Sequence, residues 1–243
     1  MSYLNDLLFG VYPYIAGTVF LIGSLLRFDR DQYTWKAHSS QMLSNAGFRR
    51  ASNLFHIGII GIFFGHLAGL LTPVAVWHAL GVSASFKQWV AIVLGGLFGT
   101  MCFIGLTALV HRRLNDARVR ANSSRMDIVI LLLLYGQLIL GLLTIPVSLF
   151  HLDGANMLTL MAWAQHIVTF DGPGAAAIAA NVGGLFKLHL LLGMTIFLLF
   201  PFSRLVHVWS GFGTVAYLFR PYQMVRSRRL NVPARQNLPR RAG

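Results

Sequence analysis

The sequence predicts an all-α integral membrane protein with five transmembrane helices, on three observations. Of its 243 residues, 56% are apolar and only 11% charged, whereas charged residues make up about 25% of an average soluble domain. Apolar runs of roughly 20 residues, long enough to cross a bilayer, recur five times. Lys and Arg also sort sharply between alternate connections, as membrane topology requires.

The first run covers residues 4 to 26. It has no basic segment before it and no small-residue cleavage pattern, so it is expected to be a retained span and not a removed signal. The second, 51 to 72, contains FHIGIIGIFFGH, with two histidines separated only by Ile, Gly and Phe. The third and fourth cover 88 to 110 and 126 to 148, and the fifth 185 to 208. Between the last two lies the longest outer loop, 149 to 183. Its NMLTLMAWAQHIVTF has helical apolar spacing at Met157, Leu158, Met161 and Val168, which predicts a helix on the membrane surface roofing the site beneath. The helical domain is thus expected over residues 1–225, followed by a basic tail, 226–243, that is disordered unless a partner orders it.

Three stretches hold 18 of the 20 basic residues: Arg27, Arg30, Lys36, Arg49 and Arg50; Arg112, Arg113, Arg118, Arg120 and Arg125; and Arg204 with seven arginines beyond it. The other side keeps only Lys87 and Lys187. By the positive-inside rule the N-terminus is periplasmic and the C-terminus cytoplasmic. The net charge of +13 therefore reports topology and docking to acidic surfaces, and no nucleic-acid partner is expected.

Composition also excludes chemistry. There is no glutamate, and the seven aspartates lie outside or at the ends of the apolar runs, which argues against a carboxylate dyad or a relay of buried acids. Cys102 is the only cysteine, so no internal disulfide, Cys-rich zinc site or Cys-ligated iron–sulfur cluster can form.

Nine histidines remain to be sorted by depth. His38, His78, His151 and His166 fall in loops and His111 at a helix end, where a solvated or interfacial imidazole is the reading. The other four lie in spans two and five. At the helical rise, His56 is roughly 8 Å from the inner end of span two and His66 roughly 9 Å from its outer end. In antiparallel span five, His189 is roughly 6 Å from the outside and His207 within about 2 Å of the inner end. Depth therefore pairs His56 with His207 and His66 with His189. The separations differ, about 15 Å in span two against about 27 Å in span five, so span five needs a distortion, and Pro201 is the expected bend.

Two His–His pairs at two depths suit bis-imidazole ligation of two non-covalent b-type haems, because imidazole nitrogen suits iron. Gly58, Gly61, Gly65, Gly69 and Gly193 are small enough to admit the macrocycle, with ordinary helix packing as the competing reading. Zinc or copper would need three or four ligands at one depth. Two rival functions are a transporter or proton channel, which needs polar residues between the histidines and breaks near mid-membrane, and a pure anchor for cytoplasmic subunits.

The stretches VYPYIAGTVFLIGSLLRFD, QYTWKAHSSQML, ASNLFHIGIIGIFFGH, GLLTIPVSLFHLDG, WAQHIVTF and LHLLLGMTIFLLFPFSRLVHVWS carry a resemblance from about residue 10 to residue 228. Over that length the chain resembles the membrane cytochrome b (gamma) subunit of respiratory nitrate reductase, a bacterial inner-membrane protein. The resemblance implies five helices and two b haems, with ligands matching His56, His207, His66 and His189. It further implies that quinol is oxidised near the outer haem and that electrons pass inward. An iron–sulfur beta subunit would take them to a molybdenum-containing alpha subunit that reduces nitrate in the cytoplasm. Lys87 matches a family lysine near the quinol site, with Gly65 and His66 as further quinol-site candidates; an anchoring lysine that snorkels to the headgroups is the alternative for Lys87. Arg112 and Arg204 at the cytoplasmic mouth are candidates for haem propionates, with topology as the alternative. A related di-haem, quinol-oxidising subunit of another complex is the alternative function. Roughly the last fifteen residues match nothing in the family pattern.

Overall fold

The computed structural model describes residues 3–30 and 46–209. Residues 31–45, with Lys36 and His38, and everything from residue 210 on, including residues 226–243, lie outside the described residues. Among the described residues there are only helices, five of them long and apolar enough to cross a membrane.

The first span is built from α1 (Tyr3–Asp6), a π-helical turn (Leu7–Val11) and α2 (Tyr12–Arg30). It carries Arg27 and Arg30 in its last turn, so the helix outruns its apolar stretch into the interfacial region. Span two is α3 (Ala46–Leu71) and leads to a short α4 (Val74–Ala79). Span three, α5 (Ala84–Asn115), exceeds its predicted run at both ends, because Ser83 caps its start by accepting from the Phe86 N–H and polar His111–Asn115 still propagates the helix. Asp116 then caps α6 (Ala117–Ala121). Span four, α7 (Arg125–Leu149), starts in a capping box in which Ser124 and Asp127 satisfy each other's N–H groups.

The 149–183 connection holds two helices, α8 (Ala155–Val168) and α9 (Gly172–Ala180). The expected helix is present as α8, but its burial is not that of a helix laid only on lipid. Met161, Trp163 and Ala164 are buried, while Val168 is exposed. α9 escaped the sequence reading because its Gly and Ala residues carry no apolar period. It packs on the π-helical turn, with Gly10 and Gly172 in backbone contact and the Asn5 side-chain amide donating to Ala176 O at 2.8 Å.

Span five is α10 (Gly184–Leu199), a 3₁₀ turn (Phe200–Phe202), extended Ser203, and a second 3₁₀ turn (Arg204–Val206) leading to His207. The bend expected at Pro201 is thus a break, as a proline without an N–H and with a ring against the preceding turn imposes.

Neighbouring helices form an arc: α3 packs on α5, α5 on α7, α7 on α10 and α10 on α2. The closest approach is between α3 and α5. A Cβ on Gly58 would stand 2.6 Å from Cys102 N and 2.7 Å from Phe98 O. Gly105 likewise meets the backbone of Ala51 and Phe55. α3 and α10, which carry His66 and His189, face each other without such close packing.

Candidate functional site

The structure brings the four intramembrane histidines together in two pairs. The rings of His56 and His207 have centroids 6.4 Å apart, and those of His66 and His189 6.2 Å apart. Metal–imidazole bonds are about 2 Å, so two imidazoles ligating one metal from opposite sides have centroids about 6 Å apart. Both pairs have that separation. Among the described residues, no three or more His, Cys, Asp or Glu side chains are grouped around one point.

In three of the four, the second ring nitrogen fixes what the first can do. His56 Nδ1 donates to Ser52 O at 2.7 Å, His66 Nδ1 to Ile62 O at 2.8 Å and His207 Nδ1 to Arg204 O at 2.6 Å. With the proton on Nδ1, the Nε2 lone pair is free to ligate, the arrangement metal-bound histidines use. The bond partners are backbone carbonyls one turn back, which sequence alone gives no sign of.

His189 differs. Its Nδ1 is buried without a partner, and its Nε2 lies 3.4 Å from the Gln137 amide of α7, whose own carbonyl oxygen is a buried orphan. Gly141, one turn along α7, admits the ring edge, since a Cβ there would lie 3.1 Å from His189 Cε1. Buried polar atoms of this kind are rarely left unmatched. The donor set, two opposed imidazoles at each level, fits a bis-histidine haem at both.

The glycines of α3 divide. Gly58 and Gly61 press on α5, so for these two the packing reading holds and the macrocycle reading falls. Gly65 and Gly69 have nothing within 4 Å of where a Cβ would stand. Gly193 faces Gln137, an added Cβ meeting its amide nitrogen at 3.1 Å.

Lys87 does not snorkel. It is buried at 8% exposure, donates to Gly69 O at 2.8 Å, touches Met161 Sδ at 2.8 Å and stands over the Trp77 ring at 4.7 Å. The Gln165 amide of α8 reaches Leu70 O and Thr72 O on the same helix end at 3.4 and 3.3 Å. Lys87 thus ties α5 to the turn of α3 that follows His66, a role carried by no sequence signal beyond its isolation.

At the arginine-bearing end of the bundle, Arg112 stacks over Phe48 at 4.3 Å, and Arg204 Nε lies 3.5 Å from Asp127 Oδ1. Of the remaining histidines, His78 and His166 lie on α4 and α8 and not in loops, and His111 is inside α5. His151 follows α7. His166 is no merely solvated imidazole either, since its Nδ1 is 2.7 Å from Asp171 Oδ2.

A family model described as nitrate reductase gamma subunit matches residues 5–228 of this chain. The respiratory nitrate reductase 1 gamma chain of Escherichia coli K12 is 55% identical over 228 residues, 94% of this chain and 100% of the relative. The respiratory nitrate reductase 2 gamma chain of the same organism is 54% identical over 230 residues, 94% and 100%. The nitrate reductase gamma chain of Bacillus subtilis 168 is 36% identical over 227 residues, 92% and 99%.

Proposed function

Because this chain belongs to the nitrate reductase gamma-subunit family, a multi-pass protein of the bacterial inner membrane, we propose that it is the quinol-oxidising cytochrome b subunit of such a reductase. The single observation that carries this reading is the pair of opposed imidazoles at each of two levels, 6.4 and 6.2 Å between ring centroids. His56 and His207 would hold the inner haem, and His66 and His189 the outer one. Bound there, haem b supplies one-electron transfer across the membrane.

The rest of the chain's work is to hold, insulate and admit. Ser52, Ile62 and Arg204 carbonyls keep three ligands as Nδ1–H tautomers. Along α3, Ile57, Gly58, Ile59, Ile60, Gly61, Ile62, Phe63 and Phe64 separate the levels without a polar side chain. The open flank at Gly65 and Gly69, beside His66 and next to the Lys87 ammonium, supports oxidation of quinol at the outer level. Quinol gives up two protons with its two electrons; with the N-terminus outside, as the arginine sorting supports, the protons leave outward while the electrons move inward. Each charge crossing 100 mV is worth about 2.3 kcal/mol.

Arg112 and Arg204 are the inner-end candidates for the haem carboxylates. The arginine-bearing inner face is the docking side for an iron–sulfur beta subunit and, beyond it, a molybdenum-containing alpha subunit, where nitrate is reduced. Nitrate contacts no residue of this chain.

The test is a reduced-minus-oxidised spectrum and haem assay of the purified complex, with His66→Ala beside it. Two low-spin b haems per chain are expected, with His66→Ala losing the outer one and quinol-linked electron transfer. Well below two haems overturns the reading, and full quinol-linked transfer in His66→Ala makes the chain a scaffold.

A further inference from the structure

The inner ligand sits beyond a break in its helix, and the break needs a holder. An unbroken span five would set His207 about 27 Å from His189, against about 15 Å between His56 and His66 on α3. Only a distorted span can meet both partners, and once the helix is broken its continuity no longer fixes the direction of His207. The rings of His56 and His207 nonetheless meet. The break also releases backbone carbonyls at the membrane's edge, where an unmatched polar group is costly.

One stripe of α2 answers both needs. Arg27 Nη1 donates to Pro201 O at 2.6 Å and to Ser203 O at 2.8 Å, the two carbonyls bracketing the break. One turn earlier on α2, Gly23 makes room for the proline ring: a Cβ there would stand 2.9 Å from Pro201 Cγ and 3.0 Å from Pro201 Cβ. Phe20, on the same face, meets Phe197, Phe200 and Trp209 with ring centroids at 5.1, 4.9 and 5.5 Å. Ser203 then caps the new turn, its hydroxyl oxygen accepting from the Leu205 N–H at 3.2 Å. Arg204, inside that turn, gives its carbonyl to His207 Nδ1 and its guanidinium to Asp127 of α7.

We propose that Arg27, seated on the Phe20–Gly23 stripe of α2, is a positioning residue for the inner haem: it clamps the broken end of span five so that His207 faces His56. Arginine sorting alone counts Arg27 as one more topology charge. The clamp gives it a second role that lysine fills poorly, because both bonds come from the terminal nitrogen Nη1, and the shorter lysine stem ends its ammonium one bond nearer the backbone. This inference rests on His207 being a haem ligand.

The experiment uses the whole chain in its assembled complex, with Arg27→Lys, Arg27→Gln, Gly23→Ala and His207→Ala compared by haem content, redox titration and the low-spin electron paramagnetic resonance of each haem. Arg27→Lys keeps the charge that sets topology. Both Arg27 variants are expected to lose or shift the inner haem's signal, with haem per chain falling toward half. The outer haem, ligated on unbroken helices, stays at its original potential and line shape and reports within each molecule that the bundle is folded.

Gly23→Ala keeps Arg27 but displaces Pro201 by a few tenths of an ångström, so it is expected to move the inner signal alone, and it decides the matter should the Arg27 variants not accumulate. An unmoved inner signal in the Arg27 variants, or in Gly23→Ala if only that one accumulates, overturns the clamp. If His207→Ala removes no haem, it is the ligand assignment that has failed.

Discussion

The inner and outer halves of α3 carry one candidate ligand each, yet they are held in opposite ways. The inner half is fastened by backbone contact: Gly58 lies on Cys102 and Phe98 of α5, and Gly105 of α5 on Ala51 and Phe55. The outer half has open space at Gly65 and Gly69 and is held by polar side chains on its last carbonyls, Lys87 on Gly69 and Gln165 on Leu70 and Thr72. Backbone packing fixes a helix to within tenths of an ångström because neither side can move. Polar ties hold a helix end while leaving its flank accessible. The difference lies in what fastens the helix and not in the exposure of the ligands, since His56 and His66 are both exposed.

The largest expected effect comes from attacking the packed half. Gly58→Val forces a branched side chain into a space where even a Cβ would be 2.6 Å from a backbone nitrogen. Overpacking costs about 1–3 kcal/mol where side chains can yield, and here the obstacle is backbone. We expect the variant to fall sharply in membrane accumulation and in thermal midpoint after extraction. Gly69→Ala is the control, since its Cβ meets nothing within 4 Å and a change within about 0.5 kcal/mol is expected. Equal losses in the two would erase the distinction between the halves.

How much of this was legible in the sequence depends on whether a residue's role is set by its own helix or by its neighbour. The five spans, the two histidine levels and the break at Pro201 follow from length, rise and proline's missing N–H, so they could be read directly. The glycines of α3 could not be told apart, because Gly58 and Gly65 differ only in whether another helix covers them. Lys87 and Arg27 were equally opaque: a cation at a helix end finds headgroups or backbone carbonyls, and one sequence does not say which. Gln137 and the carbonyls behind the histidines left no pattern at all. α9 was hidden by its alanines and glycines, which pack by being small and show no period.

A middle-sized effect tests the tied half. Lys87→Met keeps much of the side chain's volume but removes the charged hydrogen bond to Gly69 O, a kind of bond worth about 1.5–3 kcal/mol. Amide exchange across residues 66–71 should quicken while residues 51–58 stay as protected as before. Gln165→Leu should do the same more weakly, because its bonds are long at 3.3 and 3.4 Å, at about 0.5–1 kcal/mol for a neutral pair. Faster exchange in the inner half would mean that the halves are one cooperative unit.

The smallest effect lies at the outer end alone and depends on pH. Phe170 holds a left-handed φ of 64°, a conformation a bulky residue adopts only when its surroundings impose it. The next residue, Asp171, supplies part of that constraint: Oδ1 accepts from the Gly174 N–H at 2.9 Å, and Oδ2 lies 2.7 Å from His166 Nδ1. The Gly174 N–H, and after it the His166 hydrogen bond, hold this carboxyl below the usual carboxylate range. A depressed folded-state value contributes stability that is present above the unfolded value of about 3.9 and lost as pH falls through the folded one. Amide exchange at the start of α9 should therefore accelerate only below about pH 4, with the packed inner half indifferent over the same range. Asp171→Asn keeps a capping oxygen but has no proton to gain, so its exchange should show no such acid acceleration. If it follows the wild-type acid profile, the titrating group lies elsewhere in the outer connection.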